Sequence, residues 1–179
     1  MTHHSEQREL PLIQQAIIPI AAFAAAGDQR KLAHALEQGL DAGMSVSTAK
    51  EVLVQLYAYA GFPRSINALA TLMALLPKRA ERGIQDLEGP APSHPAPLGD
   101  DLLARGSATQ TRLVGQPVSG PLFEFAPAID TFLKTHLFGD IFERDNLDWQ
   151  SREVATVAML SAIAGAESQL RSHLLISIN

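Results

Sequence analysis

"LDAGMSVSTAKEVLVQLYAYAGFPRSINAL", residues 40–69, places a glycine turn, a helix-forming run, a Gly-Phe-Pro step and a second helix-forming run in sequence. Gly43 predicts a stop. Ser47 predicts a cap for the next helix, with Glu51 soon after it. Pro63 fits the first turn of a further helix, where its missing N–H costs nothing. That helix is expected to run to about Leu76 and to be closed by Pro77.

The flanking sequence continues in the same style. Residues 10–26 are apolar and rich in alanine, and Gly27-Asp28 reads as a stop followed by an N-cap. The next helix, about 29–42, puts Leu32, Ala35, Leu36 and Leu40 on one stripe, with Lys31, His34, Glu37 and Gln38 elsewhere. "EGPAPSHPAPLGD" (88–100) holds four prolines and two glycines and predicts an extended linker or surface loop. A helix is expected at 100–110 and a turn around "GQPVSGP", with helices again from 126 onward. No sustained strand-like alternation appears, so the fold class is all-α. The divisions expected are a first unit over 1–87, a proline-rich and irregular segment over 88–122, and a second, shortened unit over 123–179.

Residues 20–41 can be laid over residues 158–179 by matching Gly27 with Gly165. Leu32 then meets Leu170, Leu36 meets Leu174 and Asp41 meets Asn179. Both follow one order: small apolar helix, glycine, polar cap, amphipathic helix. Two readings are open: an internal repeat, or the likeness that any two alanine-rich helices share.

Composition narrows the function. The hydrophobic share of 46% against 18% charged suits a packed core, and a net charge of −5 without a basic stripe argues against nucleic acid. The chain has no cysteine, which removes disulfides, thiolate metal sites and any thiol redox relay. "MTHHSEQREL" has no apolar leader region, and the longest apolar run, "AIIPIAAFAAAG", is short for a membrane span. A soluble cytoplasmic protein with no membrane association is expected. The histidines form no ligand pairs at metal-binding spacing: His3 and His4 read as a disordered tail, His34 as solvated, His94 as part of the linker and His136 as a contact residue. No metal is expected.

Residues 40–69 and "FLKTHLFGDIFERDNLDWQSREVATVAMLSAIAGAESQLRSHL" (132–174) both resemble the carboxymuconolactone decarboxylase family of the alkylhydroperoxidase-D-like superfamily. The first stretch resembles that family's second half-motif, with its Gly turn, Glu-Val helix, Tyr-Ala-Gly-Phe-Pro and Asn-Ala. The second resembles its opening half, with Phe-Gly-Asp, an arginine at a helix entry, an Ala-rich helix and Gln-Leu-Arg-x-His. Together they cover roughly two-fifths of the chain. The resemblance implies a bundle of helical hairpins, assembling as homo-oligomers (trimers or hexamers) with sites near subunit contacts. It implies removal of CO2 from a small carboxylated lactone without a cofactor. It also exposes departures: the peroxidase branch's two cysteines and histidine would fall near Pro63, Ile66 and Ala70, and the decarboxylase branch's histidine falls on Gln55. Thiol peroxidase activity is therefore disfavoured.

Six residues are candidates for a site. Glu51 lies among Val52, Leu53, Val54 and Leu56, and an apolar wall would raise its proton affinity toward acid–base use. The alternative is a water-facing glutamate balancing a helix N-terminus. The resemblance favours a catalytic role, and likewise for His173, whose other reading is a subunit-contact residue. Arg152 could hold a substrate carboxylate in its planar fork, or pair internally with Asp145, Asp148 or Glu153. Arg64 and Asn67, just past Pro63, are further ligands for a carboxylate or lactone, or else solvated first-turn residues. Gln55 can orient a substrate but cannot shuttle a proton. Two functional expectations follow: a decarboxylase-like enzyme acting through these groups, or a non-catalytic oligomeric binding or assembly protein that retains the fold. A partner subunit supplying missing groups is a third.

Overall fold

The computed structural model describes residues 9–95 and 98–178; His3, His4 and Asn179 lie outside them. Among the described residues the structure is helical, without strands, and no helix is long and apolar enough to cross a membrane. In order, α1 is Leu12–Ala26, α2 Gln29–Asp41, α3 Val46–Gln55, α4 Tyr57–Glu81 and α5 Asp100–Val114. Two short helices follow, α6 (Pro121–Phe125) and α7 (Pro127–Phe132), then a π-helical segment Leu133–Ile141, α8 (Trp149–Ser161) and α9 (Glu167–Ile176).

Local chemistry explains most boundaries. Gly27 ends α1 in the left-handed region at φ 78°, and the Asp28 side chain accepts from the Lys31 N–H to start α2. The cap of α3 is Ser45, not Ser47: Ser45 Oγ accepts from the Thr48 N–H at 3.0 Å. Ser47 already lies inside the helix, and its hydroxyl donates to the Pro90 carbonyl instead. The break expected around Pro63 falls on Gly61, whose φ of 81° and ψ of 161° a side-chain-bearing residue would adopt only with strain. Pro77, however, does not close α4, which continues to Glu81. The extra turn is anchored by Arg79, buried at 1% exposure and hydrogen-bonded through Nε and Nη2 to Asp86, with Asp41 2.9 Å away. Those ion pairs hold the turn against the hydrogen bond that proline removes.

The core forms where α1 packs on α2 and α8, with α4 covering α2. Ile17, Ile20, Ala24, Leu32, Leu36, Leu53, Ala155 and Met159 are buried there. The first helices of the two echoing segments, α1 and α8, therefore lie against each other. Each also packs on the helix that follows it, α2 or α9. A second cluster, Leu137, Phe138, Ile141 and Phe142, is formed by the π-helical segment and the residue that follows it. That segment crosses α5 at two glycines. A Cβ on Gly106 would stand 1.7 Å from the Lys134 carbonyl oxygen, and one on Gly139 would stand 2.6 Å from Leu102 Cδ1. Residues 87–92 run without helix or strand and are attached to α3: the Val46 and Ser47 N–H groups donate to the Leu87 and Glu88 carbonyls at 2.8 Å.

Candidate functional site

Glu51 sits on the second turn of α3 and is 3% exposed. Neither sequence expectation describes it. It does not face water, and its carboxylate is gripped by two arginines. Arg144 takes it in a fork, Nε to Oε2 at 2.9 Å and Nη2 to Oε1 at 2.6 Å. Arg152 Nη2 reaches Oε2 at 3.0 Å. Burial is the largest single influence on the Glu51 carboxyl and by itself raises it. The hydrogen bonds from Arg144, Asn146 and Arg152 together outweigh that effect and hold the group below the ordinary glutamate range. The raised proton affinity expected from the apolar neighbours is thus reversed, and Glu51 stays ionised at neutral pH.

Behind this clamp the polar groups are spoken for. Arg152 is fully buried, and its remaining donors go to Gln55 Oε1 at 3.2 Å and the Arg144 carbonyl at 2.8 Å, with Nε left unpartnered. Its internal partner is Glu51, not Asp145, Asp148 or Glu153, and its guanidinium does not line the cavity described below. Gln55 Nε2 donates to the Arg152 carbonyl and to Thr156 Oγ1, at 2.9 and 2.8 Å. Thr156 Oγ1 lies 3.0 Å from the Tyr59 hydroxyl. Burial pushes that phenol well above its usual range, so it does not ionise near neutrality. Gln55 acts here as a strut between α3 and α8.

The other candidates stand apart from Glu51. His173 Nδ1 is 2.8 Å from Glu153 Oε2, and its ring meets the edge of Tyr59. The other Glu153 oxygen is buried without a partner. Arg64 donates through Nη1 to the Ala25 carbonyl, closing the C-terminus of α1, and its side chain is exposed. Asn67 is exposed on α4. The structure therefore brings Glu51, Gln55 and Arg152 together; His173 meets the far end of this network at Tyr59, outside the cavity described below, and Arg64 and Asn67 are exposed on α4.

Glu51 and Arg144 open onto a cavity of about 990 Å³. Val54, Leu69, Leu72, Met73 and Leu76 from α3 and α4 form its apolar wall. Ser47, Lys50 and Asn146 join Arg144 on the polar side, and residues 88–92 of the proline-rich stretch complete it. Arg144 and Asn146 were not expected from the sequence. Three consecutive residues tie this turn to α3 and to the proline-rich stretch: Arg144 grips Glu51, Asp145 accepts from the Ser93 N–H and hydroxyl, and Asn146 Nδ2 donates to Ser47 Oγ. The only hint was an arginine in an irregular "FERDN" turn. Among the described residues no cluster of histidines and carboxylates could hold a metal ion.

No protein-family model matches this chain, and no curated protein matches it.

Proposed function

We propose that this chain is a carboxymuconolactone decarboxylase-like protein that binds a small, largely apolar carboxylate in the cavity beside Glu51, with Arg144 as the anion's ligand. The observation that supports this is the charge balance of the clamp: two guanidinium groups share one carboxylate. The surplus positive charge is delivered to the cavity by Arg144, whose side chain is 38% exposed and whose Nη1 makes no hydrogen bond among the described residues. An apolar wall with one charged end suits an amphiphilic acid. The clamp argues for binding over proton transfer, because a glutamate held ionised by two arginines is a poor proton donor at neutral pH. His173 gives no support to catalysis in this cavity, since it pairs with Glu153 and is not among the groups lining it. Self-association is part of the proposal, supported by the exposed apolar stripe of Phe62, Ile66 and Met73 along α4, whose last member borders the cavity.

Isothermal titration with hexanoate and benzoate against hexanamide and benzamide tests the reading. The carboxylates should bind at least tenfold more tightly than the amides, and Arg144→Gln should erase that preference. Equal binding of acid and amide to the wild-type chain refutes it. Release of CO2 from a carboxylated lactone, lost on Glu51→Gln, would restore the decarboxylase reading instead.

A further inference from the structure

Two walls of the Glu51 cavity are helices rooted in the core, through Leu53 on α3 and Leu72 on α4. The third wall is different. Residues 87–93 contribute nothing to the apolar core, and Leu87, Glu88, Pro90, Ala91 and Ser93 are exposed. This stretch is tied down by hydrogen bonds and one ion pair to α3 and to Asp145. At one end the Leu87 and Glu88 carbonyls accept from the Val46 and Ser47 N–H groups, which no helical partner could satisfy, and Lys50 Nζ reaches Glu88 Oε1 at 3.1 Å. At the other end the Ser93 N–H donates to Asp145 Oδ1 at 2.8 Å, and the Ser93 hydroxyl donates to Oδ2 of the same carboxylate. Gly89 fits the stretch against α3: its φ is 79°, and a Cβ there would stand 2.3 Å from Ser45 Oγ. Between these ends the Pro90 carbonyl also accepts from the Ser47 hydroxyl, and Pro90 and Pro92 stiffen the rest.

A wall that adds no residue to the apolar core, and whose side-chain hydrogen bonds are exposed, opens at lower free energy than the helices beside it. We infer that residues 87–93 are a lid over the Glu51–Arg144 cavity, latched at Ser93–Asp145, and that ligand enters beneath it. The latch sits between Arg144, which faces the ligand, and Asn146, which steadies Ser47. That the ligand is a carboxylate rests on the function proposed above; the lid itself does not.

Backbone hydrogen exchange of the full chain reads lid opening without any ligand. In Asp145→Asn and in Ser93→Ala, exchange at Val46 and Ser47 should rise about tenfold, while Thr48, whose N–H is held by Ser45, stays at its wild-type rate. Gly89→Ala should do the same by lifting the stretch off α3. Unchanged exchange at Val46 and Ser47 in all three variants, or a rise that spreads equally over α3, overturns the lid. Stopped-flow binding of hexanoate supplies the second arm: Asp145→Asn should raise association and dissociation rates together, leaving Kd within about twofold. Equal rates in variant and wild type also overturn the lid. Failure of hexanoate to bind the wild-type chain would sink the carboxylate reading, and the exchange data would still decide the lid.

Discussion

Replacing Glu51 with glutamine removes the one negative charge between two arginines. Arg144, 38% exposed, can swing its guanidinium toward water, but Arg152 is fully buried on α8 and cannot. Its charge would be left in the core with only amide and carbonyl partners. Breaking a buried pair from one side typically costs about 3–5 kcal/mol, because the surviving charge is uncompensated. For a chain of this size that corresponds to a fall in Tm of roughly 6–20 °C, at about 2–4 °C per kcal/mol. Urea and thermal unfolding followed by far-UV circular dichroism would measure it. Because the folded-state carboxyl lies below its unfolded value, the unfolded chain binds more protons as pH drops. The clamp's contribution is therefore full above the unfolded glutamate pKa and is lost as pH falls through the lower folded value. The gap between wild type and Glu51→Gln should close over that acidic range. The double variant Glu51→Leu with Arg152→Met should recover much of the loss, since neither charge then needs a partner. A Glu51→Gln protein within about 0.5 kcal/mol of wild type at pH 7 would refute the reasoning.

Two further outcomes follow from packing and surface. Gly106→Ala should destabilise the chain by about 3 kcal/mol or more, seen in the urea midpoint, because its Cβ would meet a backbone carbonyl that cannot step aside. Ile66→Asp, at an exposed site on α4, should lower the mass measured by light scattering after size-exclusion chromatography while leaving the circular dichroism spectrum unchanged.

Where the determinants are local, the sequence was readable. Gly27-Asp28 ends one helix and starts the next, and the break near Pro63 is present, set two residues earlier by Gly61. Distant partners account for the misreadings. Two serines could have capped α3, and the proline-rich stretch some forty residues on engages Ser47, leaving Ser45 to cap. Pro77 should have ended α4, yet Arg79 finds Asp86 and Asp41 and the turn persists. Glu51 is the clearest instance. Its neighbours in sequence predict a raised proton affinity, while its neighbours in space reverse the sign. Arg144 sits in an aperiodic turn, and no pattern in the chain announces that the turn folds back onto α3.

The packing of α1 on α8 has a consequence for how the chain is made. The two helices are separated by about 120 residues, and at roughly 5–20 residues per second a ribosome needs about 6–25 s to cover that distance. Until α8 emerges, the side of α1 that will receive it stays open to solvent and to other nascent chains. The alanines of its C-terminal half, among them the buried Ala21, Ala24 and Ala25, present a smaller sticky surface than leucines would during the wait. A slow-codon stretch between the two helices would lengthen the exposure, and chaperone demand should scale with it.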